Sequence, residues 1–186
     1  MVSQLIRKLS SYKPSALFPE ERMCASVLIP IFESGSGPRI LLTKRTNKVK
    51  YHKGEVSFPG GMYEEKDGDT LETAIRECSE EIGVRGSDIT IVGRLDDMST
   101  FTGFVITPYV GLIPFPYDFK LNPDEVAYLI YLPMSHLLNC EPHMETYSSR
   151  GGSAPALYYE GERIWGATCR ILLQLRKIVE DGTAPS

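Results

Sequence analysis

The sequence predicts an α/β protein, with α/β/α layers around a mixed β-sheet, and two observations carry that expectation. Short apolar runs at 24–32, 39–43, 55–58, 89–95, 104–113 and 126–132 read as strands. Turn residues bound them, as in Ser34-Gly35-Ser36-Gly37-Pro38 and Pro114-Phe115-Pro116. Two longer segments, 70–82 and about 167–180, have helical periodicity and lie far apart in the chain.

Taken in order, residues 1–12 form a short amphipathic helix through Leu5, Ile6 and Leu9, followed by a linker containing Pro14 and Pro19. The strands come next, with the first long helix between the third and fourth. A short helix is expected over 133–138. In the last helix Ile171, Leu172, Leu175, Ile178 and Val179 form one core-facing stripe. The expected division is residues 1–21 as helix and linker, 22–180 as one domain and 181–186 as a tail. A chain of 186 residues can bury a sizeable core.

Composition narrows the function. With 42% apolar and 24% charged residues the chain reads as an ordinary soluble protein, and a net charge of −4 exerts no global pull on nucleic acid. Cys24, Cys78, Cys140 and Cys169 are scattered, without CxxC spacing, which argues for isolated buried thiols rather than zinc. No apolar run is long enough to span a bilayer, and the N-terminal MVSQLIRKLSSYK lacks the apolar stretch of a signal peptide. A cytoplasmic protein with no membrane partner is expected.

The segment 61–84, GMYEEKDGDTLETAIRECSEEIGV, is the most informative. Asp69 with Glu72 makes a start resembling a capping box, and Gly83 makes a left-handed stop. Leu71, Ala74, Ile75, Cys78 and Ile82 share one arc, while Glu77, Glu80 and Glu81 share another. Carboxylates in the last turn oppose the helix dipole by a few tenths to about 1 kcal/mol each. Arg76 can pair with Glu80 one turn on, but an external cation is the natural compensator. Hard oxygen donors suit Mg²⁺ or Mn²⁺. Upstream, Ser57-Phe58-Pro59-Gly60-Gly61 reads as a loop leading into this helix, able to bring a backbone carbonyl to the same ion.

Gly61, Asp67, Arg76, Glu77, Glu80, Glu81 and Gly83 resemble the Nudix box, G-x5-E-x7-R-E-U-x-E-E-x-G-U with U apolar. The middle acid is Asp67, one residue further from Arg76 than usual, a departure resembling the coenzyme A pyrophosphatase branch. The run 41–61, LLTKRTNKVKYHKGEVSFPGG, is similar to that branch's second signature, with Val49-Lys50 where Leu-Arg is typical. Asn122-Pro123-Asp124-Glu125-Val126 and Ile164-Trp165-Gly166-Ala167-Thr168 extend the likeness over most of residues 22–178.

The resemblance implies a Nudix-type α/β/α sandwich that hydrolyses a nucleoside diphosphate linked to a second moiety. It implies Glu77 and Glu81 as ligands of Mg²⁺ or Mn²⁺, with Glu80 and the Gly61 carbonyl supporting them. Coenzyme A is the implied substrate, yielding 3′,5′-ADP and 4′-phosphopantetheine, and a homodimer follows by family analogy. ADP-ribose, a dinucleotide or a nucleoside triphosphate is the alternative substrate, and a non-catalytic ligand sensor the alternative class. The intact glutamates favour catalysis. Arg76 is expected to hold Glu80, and Glu80, Glu77 or the distal Glu125 to take the water's proton.

Lys44, Arg45, Lys48, Lys50, His52 and Lys53 form a basic cluster ahead of the acidic helix. Arg45, Lys50 and His52 are expected to bind substrate phosphates, and Lys48 and Lys53 to be solvated. Glu55 shares a strand face with Ser57 and points either into the site or to a neighbouring lysine. Trp165, Tyr158 and Tyr159 read as packing residues, with adenine stacking as the alternative.

Overall fold

The computed structural model describes residues 2–17, 23–100, 102–147 and 152–181. The linker residue Pro19 and the 182–186 part of the tail lie outside this set. The elements run α1 (Val2–Ser11), β1 (Met23–Ser34), β2 (Gly37–Arg45), β3 (Val56–Ser57), β4 (Gly60–Met62), α2 (Thr70–Ile82), β5 (Thr90–Arg94), β6 (Met98–Ser99) and β7 (Phe104–Leu112). They continue through β8 (Val126–Pro133), α3 (Met134–Asn139), β9 (His143–Tyr147), β10 (Gly152–Tyr159), β11 (Glu162–Ile164) and α4 (Gly166–Asp181).

The main sheet is mixed. β1 runs parallel to β7 and antiparallel to β2 and β4, and β8 lies along the other edge of β2. Strand alternation sorts the core onto two faces. Leu28, Phe32 and Leu41 face α2, where Ala74, Cys78 and Ile82 meet them. Ile29, Ile31, Ile40 and Leu42 face the opposite layer, where Leu5 and Leu9 of α1, Met134 and Leu137 of α3, and Leu172 and Leu175 of α4 pack. The sheet therefore lies between helical layers, as the alternation of apolar runs and helices predicts. α1 joins the second core directly: a side chain at Gly93 of β5 would meet Leu9 Cβ at 2.9 Å. Lys8 donates to the last carbonyls of α4, at Val179 and Glu180, where a cation suits the helix dipole.

The Ser57–Gly61 run is not a loop. β1 and β2 pair only near their hairpin, from Ile31↔Ile40 to Ser34↔Gly37, and then part. β3 fills the split by pairing with Thr43 and Lys44 of β2, and β4 fills it by pairing with Ala25, Ser26 and Val27 of β1. The intervening Pro59 carbonyl accepts from Leu28 N at 2.9 Å. The reason is non-local: the glycines take strand geometry because β1 offers them an unpaired edge. A Cβ on Gly60 would lie 2.7 Å from Val27 Cα, so this close seating requires glycine.

A three-stranded sheet of β9, β10 and β11 was not apparent in the sequence. β9 and β11 span five and three residues, and Pro155 and the polar positions of β10 leave no clear apolar alternation. Of the four thiols, Cys78 and Cys169 are buried, whereas Cys24 and Cys140 are only half-buried; all are free. No helix among the described residues is long and apolar enough to cross a membrane.

Candidate active site

α2 is held at both ends by local chemistry. Asp69 accepts from Glu72 N at 2.8 Å, completing one arm of the expected box, while its own N–H goes to Asp67 O at 2.7 Å. Gly83 ends the helix in the left-handed region (φ 73°, ψ 18°), with its N–H on Ser79 O at 3.0 Å. The carbonyls of Glu81 and Ile82 are taken by Asn122 N at 2.9 Å and Lys120 N at 3.1 Å. The 120–125 segment thus satisfies the hydrogen-bonding deficit at this helix end. It does not neutralise the carboxylates.

The carboxylates that share this arc differ sharply in burial. The Glu80 side chain is 54% exposed, Glu77 15% and Glu81 only 1%. The buried face is rotated toward Thr73, Ala74, Cys78, Glu81 and Ile82, leaving Leu71 and Ile75 half-buried. The cause is the seat of the helix over the β1–β2 split, which turns Glu81 toward the sheet.

Arg76 organises the outer part of the site. Its Nε meets Asp67 Oδ1 at 2.6 Å, and Nη2 meets Asp67 Oδ2 at 2.9 Å. Nη1 then bridges Glu77 Oε1 at 2.8 Å and Glu80 Oε2 at 3.0 Å. Buried Asp67 also accepts from Glu64 N at 3.0 Å and Thr73 Oγ1 at 2.9 Å. These donors, with the Arg76 hydrogen bonds foremost, hold its carboxyl well below the usual range. A 3-10 turn, Glu65–Asp67, ahead of α2 delivers Asp67 to the guanidinium. Asp67 is therefore the clamp of Arg76, a role its place in the motif did not reveal.

Glu81 is the inner member. Burial pushes its carboxyl up to about 8; Arg45 opposes this, and Glu125 and Glu77 reinforce it. Burial likewise raises Glu77, against the pull of Arg76. The nearest cation to Glu81 is Arg45, at 3.7 Å from Oε1. That is too long for a good hydrogen bond, and Glu81 Oε2 and Arg45 Nε are both buried without a partner. Gly61 backs the neighbouring acid: a Cβ there would lie 2.5 Å from Glu77 Cδ, so the carboxylate rests on bare backbone. An orphaned buried carboxylate oxygen, with two further acids close enough to raise its pKa, fits a hard divalent cation.

Glu125, distant in sequence, is brought into this field, since it acts electrostatically on both Glu77 and Glu81. Its Oε1 accepts from Asn122 Nδ2 at 3.1 Å. Arg45 is placed by a register shift between Lys44 and Arg45, where β2 passes from Tyr128 to Val126 and skips Ala127.

The remaining basic residues make other contacts. Lys44 points to the opposite face and pairs with Glu162 at 2.5 Å, and Lys48 pairs with Asp124 at 2.8 Å. Lys50 lies over the Tyr51 ring, 5.0 Å from its centroid. His52 Nδ1 is 3.0 Å from Glu55 Oε2, so Glu55 pairs with this histidine rather than with a lysine. Ser57 Oγ meets Thr43 Oγ1 at 3.1 Å. Arg163 stacks on Trp165 at 4.7 Å, Tyr158 donates to Glu145, and Tyr159 packs edge-on against His136. Of Arg45, Lys50 and His52, only Arg45 pairs with the glutamate cluster among the described residues.

Fold and site together define a class: a mixed sheet between helical layers, with an Arg-Glu-x-x-Glu-Glu helix seated on a Gly-Gly strand. The NUDIX domain model matches residues 23–145, and the chain belongs to the Nudix hydrolase family, whose enzymes are pyrophosphohydrolases using divalent ions such as Mg²⁺ or Mn²⁺. It is 34% identical over 182 residues to a Nudix hydrolase, NudL, of Yersinia enterocolitica, covering 96% of this chain and 93% of the relative. The NudL of Photorhabdus laumondii is 35% identical over 159 residues, 84% of each chain. Among solved structures, DR0079 of Deinococcus radiodurans has the same fold, with a TM-score of 0.54 at 17% identity over 85% of this chain and 87% of that one. The NUDIX domain of Shewanella oneidensis NrtR complexed with ADP ribose gives 0.52 at 17% identity, covering 73% and 86%.

Proposed function

We propose that this Nudix hydrolase cleaves the diphosphate of coenzyme A or its acyl derivatives, giving 3′,5′-ADP and (acyl-)4′-phosphopantetheine. The observation that carries the hydrolytic reading is the buried Glu81, whose Oε2 has no partner while Glu77 and Glu125 crowd it with negative charge. Glu77 and Glu81 are the proposed ligands of Mg²⁺ or Mn²⁺, with Glu80 and the Gly61 carbonyl supporting. A divalent ion there supplies charge neutralisation, polarises the phosphoryl group and lowers the pKa of the attacking water.

The chain's own residues do the rest. Arg76, pinned by Asp67, fixes the positions of Glu77 and Glu80 through its Nη1. Arg45 has an unspent Nε and lies beside Glu81, so it is the best-placed donor to a non-bridging phosphate oxygen. Lys50 and His52, just after Arg45 in the chain, are the further proposed contacts to substrate phosphates. Glu125, held by Asn122, is the proposed acceptor of the water's proton. The choice of coenzyme A rests on the likeness of residues 41–61 to the coenzyme A pyrophosphatase signature.

A substrate panel with Mg²⁺ and Mn²⁺, containing coenzyme A, acyl-coenzyme A, ADP-ribose and NADH, tests this. Chromatographic recovery of 3′,5′-ADP from coenzyme A is the expected result. Turnover of ADP-ribose without coenzyme A would overturn the substrate and leave the enzyme class standing.

A further inference from the structure

We infer that Asn122 is a positioning residue for catalysis, setting the place of Glu125 relative to the α2 glutamates; this rests on the proposed catalytic role of Glu125. The observation is a double tether. Asn122 N donates to the Glu81 carbonyl at 2.9 Å, fixing the segment to the end of α2. The same residue's Nδ2 donates to Glu125 Oε1 at 3.1 Å. Its remaining groups lock the turn: Oδ1 accepts from Asp124 N at 3.1 Å, and the Asn122 carbonyl accepts from Glu125 N at 3.1 Å and Val126 N at 2.8 Å.

This geometry matters because Glu125 has no reason of its own to face acids. Two acids within its electrostatic reach, Glu77 and Glu81, repel it. Left alone, a long side chain at the head of β8 would turn to solvent. One amide donor on a rigid turn supplies the opposing attraction without adding a positive charge that would compete with a cation. Arginine or lysine in that place would hold Glu125 more strongly but would weaken the field that attracts the metal. The Glu125 carbonyl, bound by Thr46 N at 2.8 Å, anchors the other side of the segment to the residue after Arg45. Asn122 therefore joins three parts of the site: the end of α2, Glu125 and, through the turn, the Arg45 strand.

The test is a double-mutant cycle with Asn122→Asp and Glu125→Gln, run on the full chain with saturating Mg²⁺ and the best substrate of the panel. Asn122→Asp is nearly isosteric and keeps the Oδ1 acceptor of the turn, but it sets a carboxylate oxygen that repels Glu125 where the donor stood. Asn122→Ser, which also lacks that donor, repeats the measurement should the first variant misfold by circular dichroism. A well-placed general base contributes about 10²–10⁴ in rate, and misplacing it is expected to lower kcat roughly tenfold or more while KM changes less than about twofold. The double variant is expected to match Glu125→Gln alone, because nothing remains to position. Mn²⁺ affinity measured by electron paramagnetic resonance without substrate is expected to stay within about threefold of wild type in Asn122→Ser, which adds no charge. An Asn122 effect on kcat of equal size in both backgrounds, or no effect on kcat, would overturn the inference. A neutral Glu125→Gln would instead remove the catalytic assignment of Glu125 on which it rests.

Discussion

Replacing Glu81 by glutamine should stabilise the metal-free protein at alkaline pH and destabilise it at acid pH. The carboxyl of Glu81 is 1% exposed and is pushed from an ordinary value of 4.5 up to about 8, chiefly by burial. Because the folded value lies above the unfolded one, the folded state binds the extra proton between those limits. Stability carries no penalty below about pH 4.5, falls as pH rises through the window, and bears the full penalty above about 8. At about 1.4 kcal/mol per pH unit, the ceiling is about 5 kcal/mol. The amide introduced in its place is itself short of partners and costs about 1–3 kcal/mol. Near pH 8.5 the variant should therefore be more stable by about 2–4 kcal/mol, or roughly 5–10 °C in melting temperature for a chain of this size. Near pH 4.5 it should melt several degrees lower than wild type. The assay is a pair of thermal melts in chelator at the two pH values, repeated with Mg²⁺, which should raise the wild type more than the variant. A variant less stable at both pH values, with an unchanged Mg²⁺ effect, would refute the reasoning.

Arg76→Met takes from Asp67 its strongest partner and should lower the denaturation midpoint; an unchanged midpoint would deny the clamp. Gly61→Ala presses a methyl group against the Glu77 carboxylate, the movable end of a flexible side chain, so the fold should hold. Mn²⁺ affinity by isothermal titration should nevertheless fall about tenfold or more, and an unchanged affinity would remove Glu77 from the ligand set. Glu80→Gln changes a half-exposed charge whose pair with Arg76 is only one of that residue's contacts, so its melting temperature should shift by no more than about 1–2 °C.

How far the sequence carried depends on whether each feature was written locally. α2 could be read from Asp69 to Gly83 because caps and periodicity are local, and its bounds match residue for residue. Which glutamate is buried was not legible, because the β1–β2 split that receives Glu81 is made by strands pairing across the sheet. The same split turned an expected Gly-Gly loop into β4, since a glycine pair extends only where an unpaired edge awaits it. Asp67 read as a displaced motif acid, and only the 3-10 turn before α2 shows that it grips Arg76. Arg45 could be read as basic but not as the partner of Glu81, a pairing that depends on the register shift opposite Ala127. The β9–β11 sheet was not legible because Glu145, Pro155, Glu162 and Arg163 interrupt any apolar alternation in its strands.

The central claim is that buried Glu81 holds the ion through which a diphosphate is hydrolysed. Its most direct test is the rate of coenzyme A cleavage at saturating Mg²⁺ by the wild type and by Glu81→Gln, followed as release of 3′,5′-ADP. The account predicts a loss of two or more orders of magnitude, on the scale of about 3 kcal/mol in transition-state stabilisation, in a variant that remains folded. A near wild-type rate from that folded variant would contradict it.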